Sequence, residues 1–228
     1  MKDITVIFVT WNRRQELLTT VGAFLHFVQY DHSKLHLHIA DDNSPQPYIF
    51  DVIREFPNYH WTYSVTNRLG WGANVNLAIS EAKTDYIYLN EDDYVAQSPI
   101  NLKDGVRVLE NVSNIGCIRY NHLIGHLGMQ LRVEETMDAF GIVHYLRILK
   151  KESTFPYVYS NRPHLQHRRF WETYGKYPEG RKLGSTEEIY MSIVKGSIGP
   201  DVAILYNGTI DYLHIGKTNQ LSTNDIGE

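Results

Sequence analysis

Cysteine is almost missing from this chain. Cys117 stands alone among 228 residues, which excludes an internal disulfide and any metal cage built from cysteines. Also missing is an apolar run of the ~18–20 residues that a membrane-spanning helix needs. The opening stretch MKDITVIFVTWNRR is too short an apolar run for a secretory signal or a span, so the expected compartment is a reducing cytoplasm. In that compartment the glycosylation-type triplets Asn111-Val-Ser113 and Asn207-Gly-Thr209 are coincidences. Neither charge dominates. Lys and Arg number 22 against 26 Asp and Glu, a net charge of -4, which gives no sign of a polybasic membrane anchor or a strong nucleic-acid binder. Internal repeats and low-complexity linkers are absent too. With 43% hydrophobic and 21% charged residues, the expectation is one domain over residues 1–228 with a sizeable core.

What is present is an alternation of strand and helix signals. Ile4 to Val9 is a continuous, β-branched apolar run of buried-strand length. From Arg13 to Tyr30, Leu17, Leu18, Val21, Phe24, Leu25 and Val28 recur at helical spacing. Strand readings follow at 35–40, 60–64 and 86–89, with helices at 47–56 and 71–82 between them. Strands separated by helices imply βαβ units, hence a parallel sheet covered on both faces. The second half is less regular: a helix at 102–110, a strand at 114–120, antiparallel strands within 123–147, an extended aromatic segment at 152–163, and helices at 167–174 and 185–195. The fold expected is therefore α/β and Rossmann-like, with a mostly parallel sheet and a small antiparallel and helical region appended.

In such sheets ligands bind outside the carboxyl ends of the strands. The strand ends here are polar: Thr10-Trp11-Asn12-Arg13, Asp41-Asp42-Asn43-Ser44, Asn67-Arg68-Leu69-Gly70 and Asn90-Glu91-Asp92-Asp93. The last is the most telling, because a buried strand runs straight into three consecutive acids. Like charges held close repel by roughly 1 kcal/mol or more per pair where water is partly excluded. A divalent cation would offset that repulsion.

VIFVTWNRRQELLTTV, HIADDNS, TNRLGWGANVNLAIS and DYIYLNEDDYV, in that order and spacing, resemble a family-two glycosyltransferase of the A-type fold. The resemblance is close over about residues 3–100, taken as the nucleotide-sugar half, and looser through 101–228, taken as the acceptor half. It implies transfer of a sugar from a nucleotide-sugar donor, UDP-linked by preference, with Mn²⁺ or Mg²⁺. It implies that Thr10, Trp11, Asn12 and Arg13 meet the nucleotide, and that Asp41 accepts a hydrogen bond from the base, with Asp42 beside it. Asn67, Arg68, Gly70 and Asn74 would belong to the segment that closes over the donor. Asn90 and Glu91 would stand near the ribose, while Asp92, most directly, with Asp93 and His214 would bind the metal. Lys217 would meet phosphate. Asn90 departs from the Asp usual in the family and adds no charge.

RRFWETYGKYPEGRKLGSTEEIYMSIV resembles the family stretch that carries the general base. Glu188 falls on the usual position and Glu187 is nearly as good a candidate. Both are glutamates where the family has a Glu-Asp pair. An ordinary charged helix start accounts for them as well. His164, His167, Arg168 and Arg169 form a basic cluster whose target is open, and Trp71, Trp171, Tyr157 and Tyr159 read better as core than as a sugar platform. The acceptor expected is a hydroxyl on a glycan or a lipid-linked sugar. A hydroxymethylated base in DNA is a lesser alternative, as are a catalytically inactive binding module and a nucleotidyltransferase. Oligomeric state is not readable from the chain.

Overall fold

The computed structural model describes residues 1–120, 128–181, 184–206 and 212–216. In chain order its elements are β1 (Ile4–Thr10), α1 (Arg14–Phe27), β2 (Leu35–Asp41), α2 (Ile49–Glu55), β3 (His60–Val65), α3 (Trp71–Glu81), β4 (Tyr86–Glu91), β5 (Tyr94–Ala96), α4 (Leu102–Asn111), β6 (Ile115–Arg119), β7 (Leu131–Asp138), β8 (Gly141–Ile148), β9 (His164–His167), α5 (Arg168–Tyr174), α6 (Ser185–Gly196), β10 (Asp201–Leu205) and β11 (Tyr212–His214). The main sheet runs β3-β2-β1-β4-β9-β6-β10-β8-β7, and β11 pairs with β5 in a separate ribbon. Strands β1 to β4 are mutually parallel, as the βαβ pattern requires.

The alternation of side chains along a strand decides the layers. On β1, Ile4, Val6 and Phe8 join the core formed with α1, α2 and α4. Ile7 and Val9 join the opposite core, built on α3, α5 and α6. Every residue of β1 is buried, and each such large apolar side chain contributes roughly 1.5–3 kcal/mol of transfer free energy. Helix α1 is shorter than the apolar spacing predicts, because Val28 is extended and bridges to Ile100.

Two strands of the main sheet lie outside the elements read from the sequence. β9, of sequence HLQH, lies antiparallel between β4 and β6 with His164 and Gln166 wholly buried. β10 pairs parallel to β6 and antiparallel to β8. The sheet is therefore mixed beyond β4. The tight approach of α3 to the segment after α5 rests on Gly72, where a side chain would run into the Pro178 carbonyl.

Candidate active site

Register brings the polar strand ends together. Thr10 is paired with Asp41 across β1 and β2, and Phe8 and Val9 are paired with Asn90 and Glu91 across β1 and β4. The non-glycine residues with left-handed backbone are Asn12 (φ 54°), Asn43 (φ 61°) and Arg68 (φ 56°). Each follows the carboxyl end of a parallel strand. Asn tolerates this conformation, but Arg does so only under constraint.

The constraint on Arg68 comes from Asp42. Its carboxylate accepts from the Leu69 and Gly70 amides, both at 2.9 Å, and from the Thr66 hydroxyl. The 66–70 loop is thereby clamped to β2, and the Arg68 guanidinium lies over the Trp11 ring at 4.0 Å from its centroid. Asn67 accepts weakly from Asn43 at 3.4 Å. Asn74 is buried in α3 and donates to the Ala40 carbonyl at 2.8 Å, leaving its Oδ1 without a partner.

Asp41 is buried at the end of β2 and accepts from the Ser44 amide (3.0 Å) and hydroxyl (2.5 Å). Burial raises its carboxyl above the ordinary range, and the Ser44 bonds only partly counter that. The Asn12 amide donates to the Ser44 hydroxyl at 2.8 Å, so the β1 and β2 loops share one network.

Asp92 is 4% exposed. Its Oδ2 accepts from the Thr10 hydroxyl at 2.8 Å and from the Trp11 amide at 3.4 Å, and its Oδ1 accepts from Arg13 Nη1 at 3.2 Å. The same Nη1 pairs with Asp93 Oδ2, which also meets His214 Nε2 at 3.2 Å. Arg13 thus stands between the two carboxylates and relieves the repulsion that the sequence poses. Burial still pushes the Asp92 carboxyl up to about 7. Glu91, beside these acids and Glu187, is driven well above the ordinary carboxylate range by burial first and by Asp93 and Asp92 next. Asn90 is buried, donates weakly to the Tyr94 carbonyl at 3.3 Å and keeps an unpartnered Oδ1. His214 stacks on Tyr94 across the β5–β11 ribbon, at 4.8 Å between centroids.

Among the described residues, no three acids, histidines or cysteines are gathered closely enough to enclose a metal ion. Asp93 Oδ1 is nonetheless buried without a partner, next to the imidazole of His214 and the carboxylate of Asp92. Two hard carboxylates and an imidazole are suitable ligands for Mg²⁺ or Mn²⁺, which normally complete their shell with phosphate oxygens and water. The donor chemistry of Asp92, Asp93 and His214 suits such an ion, while their present arrangement is organised around the Arg13 guanidinium and, among the described residues, does not enclose one.

On the other side of β4, Glu187 in the first turn of α6 is half-buried. Its Oε1 accepts from the Ser160 hydroxyl at 2.6 Å and from the Asn161 amide at 2.9 Å. Glu188 is exposed and its carboxylate makes no bond with another described residue. The basic cluster turns inward. Arg168 donates to the Ile79, Ala82 and Thr84 carbonyls, and Arg169 donates to those of Leu109 and Ile115. His164 is wholly buried and His167 caps α5. Tyr159 is wholly buried against Tyr177, Tyr190 and Phe170, as core packing predicts. Lys217 lies outside the described residues.

Sequence reasoning missed Thr20, whose hydroxyl donates to the Asp92 carbonyl at 2.7 Å, and Tyr48, whose hydroxyl meets Thr10, Ser44 and Arg13. Thr20 was readable only as a polar residue on the apolar stripe of α1. Tyr48 sits at a helix entrance after two prolines, where nothing in the pattern marks it.

Residues 5–125 match the family model described as Glycosyl transferase family 2. No curated protein sequence matches the chain significantly. Among solved structures, it is similar to TarS of S. aureus (TM-score 0.66, 15% identity, 93% of this chain and 36% of that one). TarS 1-349 in complex with UDP-GlcNAc gives a TM-score of 0.67 at 15% identity, over 93% of this chain and 58% of that one. The mannosyltransferase PcManGT from Pyrobaculum calidifontis, in complex with GDP-Man and Mn²⁺, gives 0.61 at 16% identity, over 90% and 58%. The chain therefore spans between 36% and 60% of the length of the TarS chains it matches. At these identities the likeness establishes the fold, a mixed α/β sheet flanked by helices.

Proposed function

The chain belongs to glycosyl transferase family 2, and on that premise we propose that it is an inverting enzyme moving a sugar from a nucleotide-sugar to an acceptor hydroxyl. The observation that carries the reading is the gathering of Asp41, Asp92, Asp93 and Arg13 at the aligned ends of β1, β2 and β4, with Glu187 close to Glu91 at the same strand end. Asp41 offers acceptor oxygens to a base N–H, which favours a uracil nucleotide, and TarS was solved with UDP-GlcNAc. Trp11 and Arg68 line the same loop face.

The displacement needs one base and one stabilised leaving group. Glu187 is fixed through Oε1 by Ser160 and Asn161 and lies near Glu91, while the exposed Glu188 has an uncommitted carboxylate and holds the position that the family resemblance favours for taking the proton. As it does so, the acceptor oxygen bonds to the anomeric carbon and the bond from that carbon to the diphosphate breaks. A single displacement inverts the centre. Asp92, Asp93 and His214 would hold Mg²⁺ or Mn²⁺, which when bound would neutralise charge on the leaving diphosphate. Arg13 bonds both aspartates, so the ion would share them with its guanidinium. A glycan or lipid-linked acceptor is favoured over DNA, because Arg147, Lys150, Arg168 and Arg169 bond to groups of the fold itself, whereas duplex binding needs free cations for phosphate.

A thermal-shift screen of nucleoside diphosphates, with and without Mn²⁺, tests the donor site. UDP is expected to raise the melting temperature, and more so with Mn²⁺. Glu188→Gln should keep that shift while transfer falls by 10²-fold or more, of the order expected for losing a general base. Normal transfer by Glu188→Gln together with loss in Glu187→Gln would reverse the base assignment. No shift with any nucleotide would refute the reading.

A further inference from the structure

The acids assigned to the nucleobase and to the diphosphate side are joined by one chain of hydroxyls, buried at Thr10 and Tyr48 and half-buried at Ser44. It runs from Asp92 to Thr10 (2.8 Å), from Thr10 to Tyr48 (2.9 Å), from Tyr48 to Ser44 (2.9 Å) and from Ser44 to Asp41 (2.5 Å). Each link is within hydrogen-bond range. Tyr48 is the middle member and is 4% exposed. Its hydroxyl also accepts from the Arg13 amide at 3.1 Å, so it touches the start of α1 and the loops after β1 and β2 together.

Hydrogen counting gives the chain a direction. A hydroxyl has one hydrogen to donate. Thr10 directs its hydrogen to Asp92, so the hydrogen between Thr10 and Tyr48 must be the tyrosine's. Tyr48 then offers only lone pairs to Ser44 and to the Arg13 amide. Ser44 likewise has one hydrogen, for which Asp41 (2.5 Å) and Tyr48 (2.9 Å) compete, so three hydrogens serve four links. The phenol therefore orients Thr10 against Asp92 directly, and it bears on Ser44 against Asp41 by competing for the serine's hydrogen. Thr10 and Ser44 make no bond to each other. In a low-dielectric interior such linked bonds strengthen one another.

We propose that Tyr48 is a positioning residue that couples the base-binding and diphosphate-binding ends of the donor site. It touches neither the donor nor the reacting atoms, and it holds Asp41 and Asp92 in register through Ser44 and Thr10. The inference rests on the donor-site reading above, so its test is built on nucleotide binding to the intact chain.

The experiment is calorimetric titration of UDP and of uridine into wild type, Tyr48→Phe, Thr10→Val, Ser44→Ala and the corresponding double variants, with the melting temperature measured alongside. Tyr48→Phe keeps the buried ring and removes only the hydroxyl. It should weaken UDP about tenfold and weaken uridine as well, and it should raise the donor KM while kcat changes less than twofold. Thr10→Val and Ser44→Ala should be non-additive in the wild-type background and additive once Tyr48 is Phe. A purely structural tyrosine would lower the melting temperature and leave UDP affinity and additivity unmoved, and that result overturns the proposal. Should Tyr48→Phe fold poorly, Ser44→Ala alone cuts the same chain and must weaken UDP, and unchanged UDP affinity there overturns it equally. Failure of the wild type to bind any nucleotide is a different outcome, one that removes the donor-site reading and the coupling with it.

Discussion

Replacing Arg13 by Met should leave Asp92 and Asp93 as neighbouring buried carboxylates with no guanidinium between them. Their side chains are 6% and 10% exposed, and that of Arg13 is 21% exposed. Removing one partner of a buried ion pair costs ~3–5 kcal/mol, and the partial exposure of Arg13 argues for the lower end, about 3 kcal/mol. In a domain of this size that corresponds to a fall in melting temperature of ~6–12 °C. The effect should depend on pH, and its sign follows from Asp92. Burial raises its carboxyl from an ordinary 3.8 to about 7. Between those values the folded state holds a proton that the unfolded state has lost. The contribution is thus fully present below about pH 4 and disappears as pH rises through 7. At ~1.4 kcal/mol per pH unit this amounts to at most about 4 kcal/mol. Arg13 acts to lower that value, so without it the decline should continue above pH 7. The assay is thermal unfolding of both proteins in EDTA from pH 5 to pH 8.5. The deficit of Arg13→Met should be smaller at pH 5 than at pH 8.5, because the Asp92 part of the pairing is absent at the lower pH while the bond to Asp93 is lost at both. A deficit under about 2 °C at pH 8.5, or one equal at both ends, would refute the picture of Arg13 as the counter-ion of this site.

Other outcomes are equally specific. Asp42→Ala removes the acceptor for the Leu69 and Gly70 amides, at about 1–3 kcal/mol for the groups left unmatched. Hydrogen exchange should show both amides losing protection while those of β2 keep theirs, and unchanged protection would count against the clamp. Gly72→Ala drives a methyl into the Pro178 carbonyl. Over-packing of that kind costs ~1–3 kcal/mol, so a variant melting with the wild type would mean that α3 and this segment are less closely packed than described.

The parallel half of the fold was legible because its signals are redundant. β1 and β4 hold apolar runs, β2 alternates around His36 and His38, β3 is a short stretch rich in aromatic and β-branched residues, the helices between them carry 3.6-residue spacing, and the order of elements admits few topologies. β9 was not legible, because it buries His164 and Gln166, and buried polar residues invert the rule by which strands are recognised. β5 and β11 are too short to carry a period. The acids of the candidate site were visible as a cluster of like charge, yet their resident partner Arg13 was assigned to the nucleotide, since a sequence does not say which cation a carboxylate meets. Arg168 and Arg169 could not be assigned a target from the sequence. Charge in a row suggests a surface patch, whereas these side chains close the ends of other elements. Tyr48 escaped because a hydrogen-bonding hub is a property of three-dimensional convergence, and one tyrosine among 16 carries no mark of it.

The insertion of β9 beside β4 limits how such a protein can be recombined. The strand that flanks the acid-bearing β4 is contributed by residues 164–167, far along the chain. A chimera joined near residue 100, made to test the proposed division into donor and acceptor halves, would leave β4 with an open hydrogen-bonding edge unless the incoming segment brought an equivalent strand. Exchange of specificity is therefore better attempted in the loops on either side of β9 than at a junction that removes it.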